Sequence, residues 1–219
     1  MNTENIIKRM IHTPSELHVR EGIEGEQSRS ITGYAILFNT ESAPLYVDDE
    51  EEVREIIDPK AITQNLLDNS DIKMTMFHDG HLILARSRNG EGTLHYNIDE
   101  KGVSFEFEAP NTADGDKALE LVRRGDIAGC SFAFRTRYYN RGYVERTSVR
   151  KNGKTVTTCR VKVITGIYDF TLAADPAYPD TSCEAEARDL GKAMRATRSS
   201  AFRSQVEEMR QSVKEFNSK

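Results

Sequence analysis

Lys73-Met-Thr-Met-Phe-His-Asp-Gly-His-Leu-Ile-Leu-Ala-Arg-Ser-Arg-Asn-Gly90 consists of two short apolar runs broken by polar turn signals. The pattern repeats downstream, so strands are expected at 73–78, 82–88, 94–98 and 103–109. Asn89-Gly90 and Glu100-Lys-Gly102 supply turns between them, because Asn and Gly tolerate the left-handed backbone that tight turns need. Strands this short, joined by turns rather than by helices, favour an antiparallel, barrel-like α+β domain over a parallel α/β sheet.

Upstream, further strands are expected at Ile6–Ile11 and Ile31–Phe38, the second with a bulge at Gly33. The acidic run Asp48-Asp-Glu-Glu-Glu52 reads as a solvated loop. Asp58 and Pro59 fit the cap and first position of a short helix reaching Leu67. Downstream, Asp114–Arg124 is a helix with Ala118, Leu121 and Val122 on one face and Gly125 at its end. Residues 138–156 hold two turn signals, Asn140-Arg-Gly142 and Asn152-Gly-Lys154, around a polar strand. Cys159–Leu172 reads as a strand pair or one long bent strand. From Ser182 the character changes: Phe202, Val206, Met209, Val213 and Phe216 recur at helical spacing. A domain over 1–181 and a charged helical tail over 182–219 are therefore expected.

The 219 residues carry 30% charged side chains and a net charge of −5, with no basic surplus of the kind a nucleic-acid binder shows. Cys130, Cys159 and Cys183 form neither an even disulfide set nor a C-x-x-C metal pair, which points to a reducing compartment. His78-x-x-His81 lacks a third and fourth ligand, so no metal and no cofactor is expected. No apolar stretch approaches the ~20 residues of a membrane span, and the start lacks a signal-peptide profile. A soluble, cytoplasmic protein without membrane partners is the expectation.

Three of the apolar strands each hold one polar group that burial should penalise. Asp126-Ile-Ala-Gly-Cys-Ser-Phe-Ala-Phe-Arg135 contains Ser131, Met74–Gly80 contains His78, and Val163–Leu172 contains Asp169. An unpaired buried polar group costs about 1–3 kcal/mol. A hydroxyl, an imidazole and a carboxylate could satisfy one another, and together they are the parts of a serine nucleophile. Cys130 is the intrinsically stronger nucleophile. Neighbours on a strand face opposite ways, however, so only one of Cys130 and Ser131 can reach His78. His81 reads as a loop residue after a turn at Asp79-Gly80, and His12, His18 and His95 as surface residues. Asp79, Asp126 and Asp175 are the other carboxylates near these segments, and no His follows Ser131.

In order along the chain, Ile31-Thr-Gly-Tyr-Ala-Ile-Leu-Phe-Asn39, Phe77-His-Asp79, Leu84-Ala-Arg86, Gly92-Thr-Leu94 with Asp99-Glu-Lys-Gly102, Leu121–Phe134, Ile167-Tyr-Asp-Phe-Thr171 and Asp175-Pro-Ala-Tyr-Pro179 form a set. As a set, over roughly residues 30–182, they resemble the HK97-type prohead serine proteases of tailed bacteriophages, relatives of the herpesvirus assemblins. The departures are Ala85 and Ala133 where that family has Gly, and Asp169-Phe-Thr171 where it often has Glu-Val-Ser. The resemblance implies a closed, mainly antiparallel β-barrel with peripheral helices, of the herpesvirus-protease kind. It implies Ser131 as nucleophile, His78 as base and Asp169 as third member, with Cys130 a buried apolar residue. Arg86 stands between two readings, a charged stabiliser and a surface residue.

The implied activity is a serine endopeptidase that cleaves capsid-protein precursor or scaffold, and then itself, within the assembling procapsid in the host cytoplasm. Self-association into a homo-oligomer is compatible with it. The competing expectations are a non-catalytic capsid-assembly or scaffolding protein on the same fold, and a cysteine hydrolase using Cys130.

Overall fold

The computed structural model of the protein describes residues 16–21 and 28–174, and the backbone of residues 5–10. The chain divides into two compact units, Met1–Tyr178 and Pro179–Lys219, and all described residues belong to the first. The expected tail helix, Asp175, Cys183 and His12 lie outside the described residues.

The chain begins with β1 (Asn5–Met10), β2 (His18–Val19), β3 (Ser30–Leu37), β4 (Tyr46–Val47) and β5 (Glu51–Ile57). A 3-10 turn at Pro59–Ala61 and helix α1 (Gln64–Asp68) lead into β6 (Asp71–Met76), β7 (Asp79–Arg88), β8 (Glu91–Gly92), β9 (Leu94–Ile98) and β10 (Gly102–Glu108). Helix α2 (Ala113–Arg124) precedes β11 (Gly129–Thr136), and β12 (Val144–Lys151), β13 (Lys154–Val161) and β14 (Gly166–Ala173) complete the unit.

The strands form three sheets, ordered β1-β11-β14-β6-β7-β8, β2-β3-β10-β9 and β12-β13-β5-β4. The fold is mostly β with few helices. The closed barrel implied by the family resemblance is not found among the described residues, where each sheet ends in two edge strands. Isolated bridges from Phe38 to Ile57 and from Glu41 to Ile56 link the ends of β3 and β5. Most pairings are antiparallel, but β14 runs parallel to β6 and β13 parallel to β5.

The six-stranded sheet carries the core. Cys130, Phe132, Ala133 and Phe134 of β11, Phe170 and Leu172 of β14, and Ile72, Met74 and Met76 of β6 are all buried. Strands covered on both faces read as continuous apolar runs, which is why these segments do not alternate. Fully burying one such Phe contributes about 1.5–3 kcal/mol. Phe132 and Phe134 also stack, with ring centroids 5.2 Å apart.

Local chemistry sets several element ends. Thr112 caps α2 by accepting the Gly115 N–H, and Gly125 closes the helix at φ 77°. Asn152 and Gly153 join β12 to β13 as a two-residue turn with φ of 51° and 82°. Asp58 accepts the Lys60 N–H at Pro59, though the expected single helix is split: Thr63 caps a separate α1.

Other readings are corrected. The acidic run is only half loop: Asp48 Oδ1 accepts the N–H groups of Glu50 and Glu51 at 2.8 and 2.7 Å, after which Glu51 and Glu52 open β5. Their parallel pairing with Thr155 and Val156 crosses some hundred residues, and local composition carries no sign of it. The bulge of β3 falls opposite the Val103–Ser104 step rather than at Gly33. The 159–172 segment divides between two sheets, as the end of β13 and the whole of β14.

Gly115 gives a test of the packing ahead of β11. A Cβ there would lie 2.0 Å from the Pro110 carbonyl oxygen. Ala normally improves a helix by about 0.5–1 kcal/mol over Gly. Gly115→Ala is instead expected to lose about 1–3 kcal/mol in urea unfolding through overpacking, and a gain would contradict this contact.

Candidate active site

β11, which carries Ser131, lies inside the six-stranded sheet, between β1 and β14. Met10 and Thr171 stand opposite Ser131 on its two sides. Phe170 faces Phe132, and Asp169 faces Ala133. Register partners share a face, as do residues two apart on a strand, so Ser131, Ala133, Asp169 and Thr171 line one surface. A bulge at Tyr168 adds a residue beside Asp169, where Phe134 pairs with Ile167. On the far side of β14, the parallel β6 sets Lys73 against Asp169 and Thr75 against Thr171.

His78 reaches this surface from a turn. The strand expected to run to His78 stops at Met76, which pairs with Asp79, leaving Phe77 and His78 as a two-residue loop. Both have φ of 56°. Type I′ turns require positive φ at both central residues and usually contain Asn-Gly. Placing Phe and His there costs about 1–3 kcal/mol each. Two bonds to β14 hold the turn: Phe77 N–H donates to Leu172 O at 3.1 Å, and His78 N–H donates to Thr171 Oγ1 at 2.9 Å. The Thr75 hydroxyl donates to the same Thr171 oxygen at 2.9 Å.

The imidazole then spans two strands. Nδ1 lies 2.7 Å from Asp169 Oδ1, and Nε2 lies 2.7 Å from Ser131 Oγ. An ionised carboxylate only accepts, so Nδ1 carries the proton; Nε2 is thereby left to accept from the Ser131 hydroxyl. The three residues expected from sequence are brought into one hydrogen-bonded chain. Ser131 is 1% exposed, and the side chains of His78 and Asp169 are 12% and 16% exposed.

The neighbouring candidates are otherwise engaged. Cys130 is buried, its Sγ donates to the Ser131 carbonyl at 3.6 Å, and burial pushes its thiol up to about 12. Asp79 is exposed and accepts the N–H of His81 at 2.8 Å, and Asp126 pairs with Arg124 at 2.9 Å. His81 is exposed but lies in β7, not in a loop, because the turn falls two residues earlier than Asp79-Gly80 suggested. Arg86 makes two bonds to Asp71, at 2.7 and 2.6 Å, and this partner holds the Asp71 carboxyl below its ordinary value. That pairing is the surface reading of Arg86. Ala133 is 1% exposed, so its methyl is packed inside the sheet.

Thr171 and Thr75 were missed in the sequence. A Thr in an apolar strand is ordinary, and only the two-residue spacing from Asp169 to Thr171 marked a shared face. Among the described residues, no cluster of His, Cys, Asp and Glu is placed to hold a metal ion. Nor is any helix there long and apolar enough to cross a membrane.

The family model described as caudovirus prohead serine protease matches residues 15–196. The chain belongs to this family, the proteases of bacteriophage capsid maturation. The solved structure of the bacteriophage T4 capsid assembly protease is 9% identical, with a TM-score of 0.38, over 75% of this chain and 97% of that one. Among curated proteins none matches the chain.

The buried thiol yields a direct test of which side chain is reactive. At pH 8 a thiol titrating near 12 is about one ten-thousandth thiolate, the form that alkylates. Iodoacetamide at that pH should leave Cys130 unmodified in the folded protein and alkylate it after denaturation, as read by peptide mass mapping. Rapid alkylation of the folded protein at Cys130 would contradict the burial.

Proposed function

We propose that Ser131, His78 and Asp169 are the catalytic triad of a serine endopeptidase. Its substrates are capsid-protein or scaffold precursors inside the assembling procapsid, and it then trims its own C-terminal segment. The observation that carries this reading is the chain of two 2.7 Å bonds from Ser131 Oγ through the His78 ring to Asp169.

Nε2 takes the Ser131 proton as Oγ attacks a peptide carbonyl carbon, forming the tetrahedral intermediate. Asp169 stabilises the imidazolium through Nδ1–H and remains ionised. The imidazolium passes its Nε2 proton to the departing amine, and the C–N bond breaks to leave an ester on Ser131. Water, deprotonated by Nε2, hydrolyses the ester. Low exposure of all three groups strengthens each of these electrostatic steps relative to bulk water. General-base assistance of this kind is worth roughly 10²–10⁴-fold in rate.

The bonding pattern also separates Ser131 from its neighbour: the hydroxyl meets the base, whereas the thiol is protonated and turned to a carbonyl. Serine chemistry is thus favoured over cysteine chemistry.

Purified full-length protein should cleave a capsid-protein precursor, and its own intact mass should fall to species ending between roughly residues 182 and 204. Ser131→Ala and His78→Ala should keep wild-type circular dichroism, stay full length and leave the precursor intact. Asp169→Asn should be slowed by roughly 10²–10⁴-fold but still measurable, because nucleophile and base remain. Cleavage by Ser131→Ala at the wild-type rate would overturn the reading and leave a non-catalytic assembly role.

A further inference from the structure

We infer that Thr171 is the positioning residue of the site, holding the His78 ring over Ser131 through the backbone of the Phe77–His78 turn. The inference deepens the proposed serine-protease reading and rests on it.

The turn has positive φ at both of its residues, neither of them Gly, so its geometry is not the one the local chain prefers. It stays in place because β14 offers two acceptors at the right height. One is the Leu172 carbonyl, which every residue type supplies; the other is the Thr171 hydroxyl, which depends on the side chain. Thr171 Oγ1 accepts from His78 N–H on one side and from the Thr75 hydroxyl on the other, each at 2.9 Å. The hydroxyl rotor is thereby set by β6 and read by the turn.

Register makes this consequential. Thr75, Thr171 and Ser131 stand opposite one another on β6, β14 and β11, and are 2%, 0% and 1% exposed. The atom that holds the base and the atom that the base activates are therefore built into one row of the sheet. Without the Thr171 oxygen the partly buried His78 N–H loses its acceptor, and the turn is free to relax toward ordinary φ. The ring then leaves the 2.7 Å contact with Ser131 Oγ. Misplacement by about 1 Å can cost on the order of a hundredfold in rate.

The test uses full-length protein and p-nitrophenyl acetate, a small acyl donor, with hydrolysis by Ser131→Ala subtracted. Thr171→Val should lower kcat about 10- to 100-fold at a KM within about twofold, whereas Thr171→Ser should keep at least about a third of kcat. In parallel, protein labelled with ¹⁵N-histidine should show a far-downfield Nδ1–H proton, assigned by its loss in His78→Ala. Thr171→Ser should retain that signal and Thr171→Val should lose it. Wild-type kcat with a retained signal in Thr171→Val would overturn the inference, and so would equal damage in Thr171→Ser, which would mean packing. Should Thr171→Val not fold, Thr75→Val decides: about a three- to tenfold fall in kcat at constant KM supports the inference, and no change overturns it. If wild-type protein hydrolyses no more ester than Ser131→Ala, the protease reading fails. The imidazole signal alone then decides the positioning role.

Discussion

The parallel pairing of β6 with β14 is the constraint on which the site depends. Four residue pairs, Lys73 to Met76 against Asp169 to Leu172, lock the two strands in register. Because β14 also pairs with β11, the same register that sets Asp169 sets the row through Ser131. The end of β6 delivers the Phe77–His78 turn beside β14. A one-residue slip of β14 would turn both Asp169 and Thr171 to the opposite face. The buried aromatic and aliphatic side chains of these three strands oppose such a slip, since it would force Phe170 and Leu172 onto the equally buried face that holds Ser131 and Thr75. Hydrophobic packing thus determines where the polar chain of bonds can form.

The strain in the turn has its compensation in the same sheet. Phe77 and His78 adopt a backbone suited to Asn-Gly, yet both N–H groups are satisfied by β14. His tolerates left-handed backbone better than most residues, and Phe does not. Phe77 nonetheless remains 46% exposed at the tip. A base presented on a turn can be aimed along the sheet surface, where a side chain rising from a strand points straight out. That difference lets one imidazole touch residues on two neighbouring strands.

Much of this was legible in the chain, for physical reasons. The meeting of Ser131, His78 and Asp169 was legible because each interrupts an apolar run and so needs a buried partner. β7, β9, β10 and α2 were legible because their turns and helix end are local chemistry, read from Asn89-Gly90, Glu100-Lys-Gly102 and Gly125. The parallel pairings were not legible, since they join segments about a hundred residues apart. The parallel pairing of β5 with β13 turned the end of the acidic run into strand, and the turn falls at Phe77–His78 instead of Asp79-Gly80. Asp79-Gly80 is the stronger local turn signal, but the β6–β7 register overrode it. The closed barrel came from family resemblance, and it is not found among the described strands.

The central claim is that His78 activates the Ser131 hydroxyl across three strands of one sheet. Incubation with diisopropyl phosphorofluoridate followed by intact-mass and peptide-mass analysis tests it most directly, because the reagent is small and an activated serine oxygen displaces its fluoride fastest. The account predicts one adduct per chain, on Ser131, and none in His78→Ala under the same conditions. An adduct on a different residue, or labelling of Ser131 that proceeds equally fast without His78, would contradict it.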